Sequence, residues 1–232
     1  MTDGALRWVR ASIICAASFA ASACSSGGDL PERAPDLGPP APSEPGALRL
    51  PFLVDDYYVP NGCFGDANCD GGVLEIDSRA CRDRAPTAQS VCRRFRYTPI
   101  APDASGYAGH LGILFQDVGP QGEVEIGRVP GLPVQAGAQR VTFWAAVGAG
   151  NVEVSFRAGG ANSWQGRTDP SLPYKDDFGV ATDVVLDSKL RKFEIDLSGA
   201  TYDDVVSPFG WSIESQGRVE PIDLFIDDLR WQ

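Results

Sequence analysis

The strongest constraint on what this chain can fold into is an alternation of apolar and polar side chains with a period of two. In RVTFWAAV, residues Val141, Phe143, Ala145 and Val147 fall on one side, and Thr142, Trp144 and Ala146 on the other. In NVEVSFRAG the apolar side is Val152, Val154 and Phe156, opposed by Glu153, Ser155 and Arg157. In RKFEIDLSG it is Phe193, Ile195 and Leu197. Successive side chains of a β-strand point to opposite faces, so the pattern is that of strands with one face in a core. Further strands are expected at 50–54, 73–77, 92–98, 110–117, 123–129, 180–186, 209–215 and 222–231. No segment sustains a long helical period. The 26 glycines and 18 prolines fall mostly between the apolar runs, where turns are needed. The expected fold is all-β: one two-sheet antiparallel β-sandwich, a jelly roll, over residues 49–232.

Residues 1–23 have the layout of a secretory signal, with Arg7 and Arg10 ahead of an apolar stretch of small residues at 11–23. That stretch spans about 20 Å at the helical rise, short of a bilayer core of about 30 Å. It ends in Ala21-Ser22-Ala23-Cys24, which resembles the lipobox of bacterial lipoproteins. The resemblance implies cleavage before Cys24 and a lipid anchor on it. Ser25, where an aspartate would retain the protein at the inner membrane, implies a cell-envelope location at the outer membrane. An ordinary cleaved signal with a chance cysteine is the alternative. Residues 24–48 are rich in Pro, Gly, Ser and acid and too poor in apolar surface to offset chain entropy, so a disordered tether is expected.

The chain carries a net charge of −11, and losing residues 1–23 removes two arginines and one aspartate. An acidic chain without a basic patch argues against nucleic acid as a partner.

Cys15 belongs to the signal and Cys24 to the lipid. Cys63, Cys69, Cys81 and Cys92 remain, and an even number in an exported chain implies two disulfides. Of the three connectivities, 63–69 with 81–92 is expected, because each pair brackets a polar, turn-rich segment. The first pair overlaps Asp66-Ala-Asn68-Cys69-Asp70-Gly71, which has the D-x-N-x-D-G spacing of a calcium loop. Pro60-Asn61-Gly62 rules out the incoming helix of an EF-hand. Two readings stand: a structural Ca2+ on Asp66, Asn68 and Asp70, or a solvated acidic turn closed by a disulfide.

LPFLVDDYYVPNG, VTFWAAVGAGNVEVSFRAGG and DLFIDDLRWQ resemble the first, middle and last strands of galactose-binding-like jelly rolls, of which carbohydrate-binding modules are the best-known members. The middle stretch with KFEIDLSGATYDDVVSPFGW also resembles bacterial surface lipoproteins without an assigned function. The likeness implies a structural Ca2+ between the first strand and the last, where Asp55 or Asp56 would meet Asp227 or Asp228. The alternative places these acids at strand ends facing water.

Catalytic constellations are thin. His110 is the sole histidine, no G-x-S-x-G occurs, and no glycine-rich phosphate loop leads into a helix. Glu75-Ile-Asp77 and Glu194-Ile-Asp196 open like the E-x-D-x-(x)-E strand of jelly-roll glucanases, but neither is completed. A non-catalytic module is expected. Sugar recognition uses aromatic rings and planar polar groups. Trp144, Glu153 and Arg157, with Ser155, are expected on the non-core faces of two neighbouring strands, and the long connection 159–179 holds Trp164 and Tyr174. Trp144, Glu153, Arg157, Trp164 and Tyr174 are the candidate ligand residues, with Trp144 and Trp164 framing a groove if the connection folds over the sheet. In the other reading Trp144 is a second-layer core residue beneath it. A glycan-binding module, a structural or protein-interaction lipoprotein and, more distantly, a glycoside hydrolase are the function classes in play; the sequence leaves the oligomeric state open.

Overall fold

The computed structural model describes residues 46–66, 72–78, 81, 83–100, 109–117, 131–160 and 178–232. The signal, Cys24, most of the tether, Asn68, Cys69, Asp70, Trp164, Tyr174 and the expected strand at 123–129 lie outside these residues.

The alternating segments form two antiparallel sheets. The first contains, in spatial order, β10 (Arg191–Asp196), β7 (Arg140–Val147), β13 (Ile222–Trp231), β4 (Arg93–Tyr97) and β3 (Leu74–Asp77). A short β1 (Phe52–Leu53) pairs with the end of β13. The second sheet runs β2 (Tyr58–Gly65), β5 (His110–Asp117), β12 (Phe209–Glu214), β8 (Val152–Ala158) and β9 (Val180–Leu186). A two-residue pair, β6 (Leu132–Pro133) with β11 (Asp204–Val205), lies apart from both. The chain passes repeatedly from one sheet to the other, as between β2 and β3, β4 and β5, β7 and β8, and β12 and β13, the interleaving that makes a jelly-roll sandwich.

The two inner faces meet in one core. Phe143 of the first sheet packs on Phe156 and Phe209 of the second, with ring centroids 4.5 and 5.0 Å apart. Phe95 meets the fully buried Trp211 edge-on at 5.1 Å. Trp231 is also fully buried, its indole N–H donating to the Pro208 carbonyl at 2.9 Å. The alternation in β7 and β8 therefore reports the inner face correctly, with Val141, Phe143, Ala145, Val152, Val154 and Phe156 all in the core.

One expectation fails at the N-terminal end. The strand at 50–54 is cut to Phe52–Leu53 because the chain turns into a 3-10 turn at Val54–Asp56. The segment Pro60-Asn61-Gly62, which as expected is not helical, forms the middle of β2, with a register shift between Pro60 and Gly62. β2 is an edge strand paired only with β5, so a proline without an N–H is tolerated there, and a bulge absorbs the extra residue.

Asp66 closes this end of the sandwich. It is buried, accepting from the Tyr97 hydroxyl at 2.6 Å and from the His110 backbone N–H at 3.1 Å. It thereby ties a strand of the first sheet to one of the second, and the solvated-turn reading does not hold for this residue. Its calcium-loop companions Asn68 and Asp70 lie outside the described residues.

Cys81–Cys92 is a disulfide, as the spacing predicts. Cys63 is also disulfide-bonded, to a partner outside the described residues.

Candidate functional site

The outer face of the second sheet carries a groove built by cross-strand register. One row runs Phe64, Gly112, Ser212, Ser155, Asp183 across β2, β5, β12, β8 and β9. The inner-face neighbours Leu111, Ile113, Trp211, Ile213, Val154 and Phe156 are buried, so the row itself faces outward. Gly112 has a local reason to be glycine: a Cβ there would run into the ring of Phe64, which lies against the sheet. In the next row, Leu114 and the stem of Arg157 lean over Gly210. Small residues thus floor the trough and larger side chains edge it.

A cavity of about 360 Å³ opens on this face, lined by Glu153, Ser155, Asp183, Ser212, Glu214 and Gln216. Glu153, Asp183 and Glu214 are exposed, and their carboxylates have no hydrogen-bond or ion-pair partner among the described residues. His110 stands opposite Glu214, its ring 6.5 Å from that of Phe64. Chemically the groove offers an apolar ring at one end, hydroxyls in the floor and carboxylate acceptors along the rim. Hydroxyl-rich ligands need this combination.

The sequence-derived ligand residues divide. Glu153 lines the groove and Arg157 sits beside it, its Nη2 donating to the Gly160 carbonyl at 2.8 Å. Trp144 does not join them. It lies on β7, between Lys192 of β10 and Asp227 of β13, on the outer face of the first sheet. Consecutive strands in sequence are here in opposite sheets, so Trp144 and the pair Glu153 and Arg157 face away from one another across the sandwich. A common groove for the three is excluded. Asp183 was legible only as a member of a strand, and Phe64 fell in the stretch that reads as a disulfide-closed turn; nothing in their local sequence marks a ligand site.

The acids expected around Ca2+ are met by arginines. Asp227 is fully buried; its Oδ2 accepts from Arg84 Nε at 2.9 Å and from the Ala85 N–H at 2.7 Å. Its Oδ1 accepts from Arg84 Nη2 at 3.1 Å and from the Asp228 N–H at 2.9 Å. Asp228, in the left-handed region with φ 52°, accepts from Arg230 Nη2 at 2.7 Å and from the Gln89 N–H at 3.2 Å. Asp55 accepts from Arg93 Nε at 2.8 Å. Burial pushes the Asp55 carboxyl above its ordinary 3.8, opposed by the Arg93 charge and hydrogen bond. The hydrogen bond to Asp227 pushes the Arg84 guanidinium upward. Among the described residues no three or more His, Cys, Asp or Glu side chains are grouped to hold a metal. The donors that satisfy Asp227 come from the loop that Cys81–Cys92 closes, so disulfide and ion pair fix that loop together.

No protein-family model matches the chain, and no curated protein does. Among solved structures it is similar to the family 30 carbohydrate-binding module of a cellulosomal cellulase of Clostridium thermocellum, with TM-score 0.45 and 12% identity over 79% of this chain and 97% of that one. It is similar to a family 11 module of another cellulase of that organism, with TM-score 0.43 and 11% identity over 80% and 95%. A third is the K1 cleaved adhesin domain of Lys-gingipain from Porphyromonas gingivalis W83, with TM-score 0.36 and 12% identity over 79% and 96%. The fold class rests on the sheets of this chain itself: a two-sheet antiparallel β-sandwich.

Proposed function

We propose that this chain is a non-catalytic carbohydrate-binding module, held at the cell envelope by a lipid on Cys24, and that its sugar site is the outer groove of the second sheet. The observation that carries the reading is the row of Phe64 over Gly112, followed by Ser212, Ser155 and Asp183. A pyranose ring can lie on Phe64 while its hydroxyls reach serine and carboxylate oxygens along the sheet. Sugars bound by similar structures, a β-1,3-1,4-mixed-linked tetrasaccharide and β-1,4-galactotriose, are sensible first probes within a wider glycan panel. Retention on at least one glycan is expected, weakened tenfold or more by Phe64→Ala or Asp183→Asn. No retention on any member, or retention unchanged in both variants, sinks the assignment. Reducing-end assays on the same panel are expected to stay flat; release of sugar would make the rim acids catalytic. Mass spectrometry of the envelope-extracted protein tests the anchor, with a diacylglyceryl group on Cys24 expected.

A protein-interaction role is favoured by one feature. β9 is an edge strand carrying Val185 at 61% exposure, a shape that accepts an added strand. Co-purification of an envelope partner that Val185→Lys abolishes would establish it.

A further inference from the structure

We propose that the outer face of the first sheet carries a second polyol site, separate from the groove, centred on Phe225 and Arg94. The row Asp77, Arg94, Phe225, Ala146 crosses β3, β4, β13 and β7. A cavity of about 410 Å³ opens over it, within the size range of small-ligand sites. Half-buried Phe225 and buried Ala146 supply an apolar patch, Ser188 a hydroxyl, and Asp83 an exposed carboxylate.

The pointer to a ligand is Arg94. Its Nε is buried and donates to no acceptor among the described residues, and its one ion pair, to Asp77, is long at 3.8 Å. A buried guanidinium N–H without an acceptor is destabilising, and a ligand hydroxyl oxygen supplies one. The other arginines facing this side are engaged. Arg84 is held by Asp227, Arg230 by Asp228, and Arg96 lies 3.4 Å from Asp223. Arg94 alone of these is poised to donate elsewhere.

Part of the cavity wall is tied down by covalent and ionic bonds. Asp83 stands in the loop closed by Cys81–Cys92, next to Arg84, which is fixed on buried Asp227. A rigid loop lowers the cost of ordering on binding. Donor, acceptor, hydroxyl and aromatic ring together recognise a neutral sugar. Trp144 lies one row away on the same face, within diagonal reach of Phe225.

This inference rests on the carbohydrate reading for its ligand class, but not on the groove for its place. Two sites on opposite faces of one sandwich make the chain bivalent. The test is calorimetric titration of the full chain with the mixed-linked tetrasaccharide and galactotriose, alongside turbidity with the parent polysaccharides. Two sites per chain are expected. Phe225→Ala, Arg94→Gln or Asp83→Asn should weaken one of them at least tenfold and abolish polysaccharide cross-linking; Asp83 is exposed, so its variant controls for misfolding. Phe64→Ala should remove only the other site. A single site that is lost in Phe64→Ala and indifferent to the three variants overturns this inference and leaves the groove standing. A single site lost in the three variants and indifferent to Phe64→Ala keeps the inference and removes the groove. No saturable binding of either sugar to the wild-type chain overturns both.

Discussion

The two outer faces of the sandwich treat charge in opposite ways. On the first sheet, arginines and acids are interleaved and bonded: Arg84 with Asp227, Arg230 with Asp228, Arg96 with Asp223. On the second, Glu153, Asp183 and Glu214 stand around two serines without a cationic partner among the described residues. A charge that is buried and bonded holds the fold, and removing its partner leaves an uncompensated ion. A charge that stands in water contributes little to stability and is available to a ligand. The contrast separates what builds this molecule from what it presents.

The sharpest way to break the comparison is at Asp227. Asp227→Ala strips acceptors from Arg84, Ala85 and Asp228 at once and should cost roughly 2–4 kcal/mol in denaturant unfolding. A loss below about 1 kcal/mol would mean that the paired face is ornamental. Next, replacing Cys81 and Cys92 by serine should cost about 2–3 kcal/mol, the effect of freeing a short loop. A neutral double variant would show that Arg84 alone suffices as the anchor. On the unpaired face, Asp183→Asn and Glu153→Gln should leave unfolding free energies within about 0.5 kcal/mol of wild type while changing glycan retention. Destabilisation there would reveal partners that make these acids structural.

The smallest effect is in pH. Burial raises the affinity of folded Asp55 for its proton, so the native state keeps that proton at pH values where the unfolded chain has released it. Its contribution to stability therefore falls as pH rises from the ordinary 3.8 through the raised value. Asp55→Asn should flatten that part of the stability profile, and an unchanged slope would locate the titration elsewhere. Chelator is expected to leave the melting temperature unmoved, since arginines neutralise Asp55, Asp227 and Asp228. A chelator-sensitive melting temperature would direct attention to Asn68 and Asp70.

Strand identity was legible wherever one side of a strand is core, because Val141, Phe143, Ala145 and Val147 repeat with the pleat. The edge strand β2 was not, since Pro60, Asn61 and Gly62 carry turn chemistry that an edge and a bulge also accept. The disulfide at 81 and 92 followed from spacing. The groove was hidden for a different reason: Phe64, Gly112, Ser212, Ser155 and Asp183 come from five strands, and only register brings them into line. Trp144 misled because adjacency in sequence stood in for adjacency in space; the chain crosses the core between Val147 and Val152. Arg84, which meets buried Asp227, lies more than a hundred residues before it, and no local pattern links the two; Arg230, by contrast, stands two residues from Asp228.

Trp211 has a spectroscopic consequence. It is fully buried against Phe95, and its indole N–H finds no acceptor among the described residues. An indole in so apolar a box emits in the blue, and water reaching it on separation of the sheets would shift that light toward the red. The chain thus carries its own lamp at the seam between its layers.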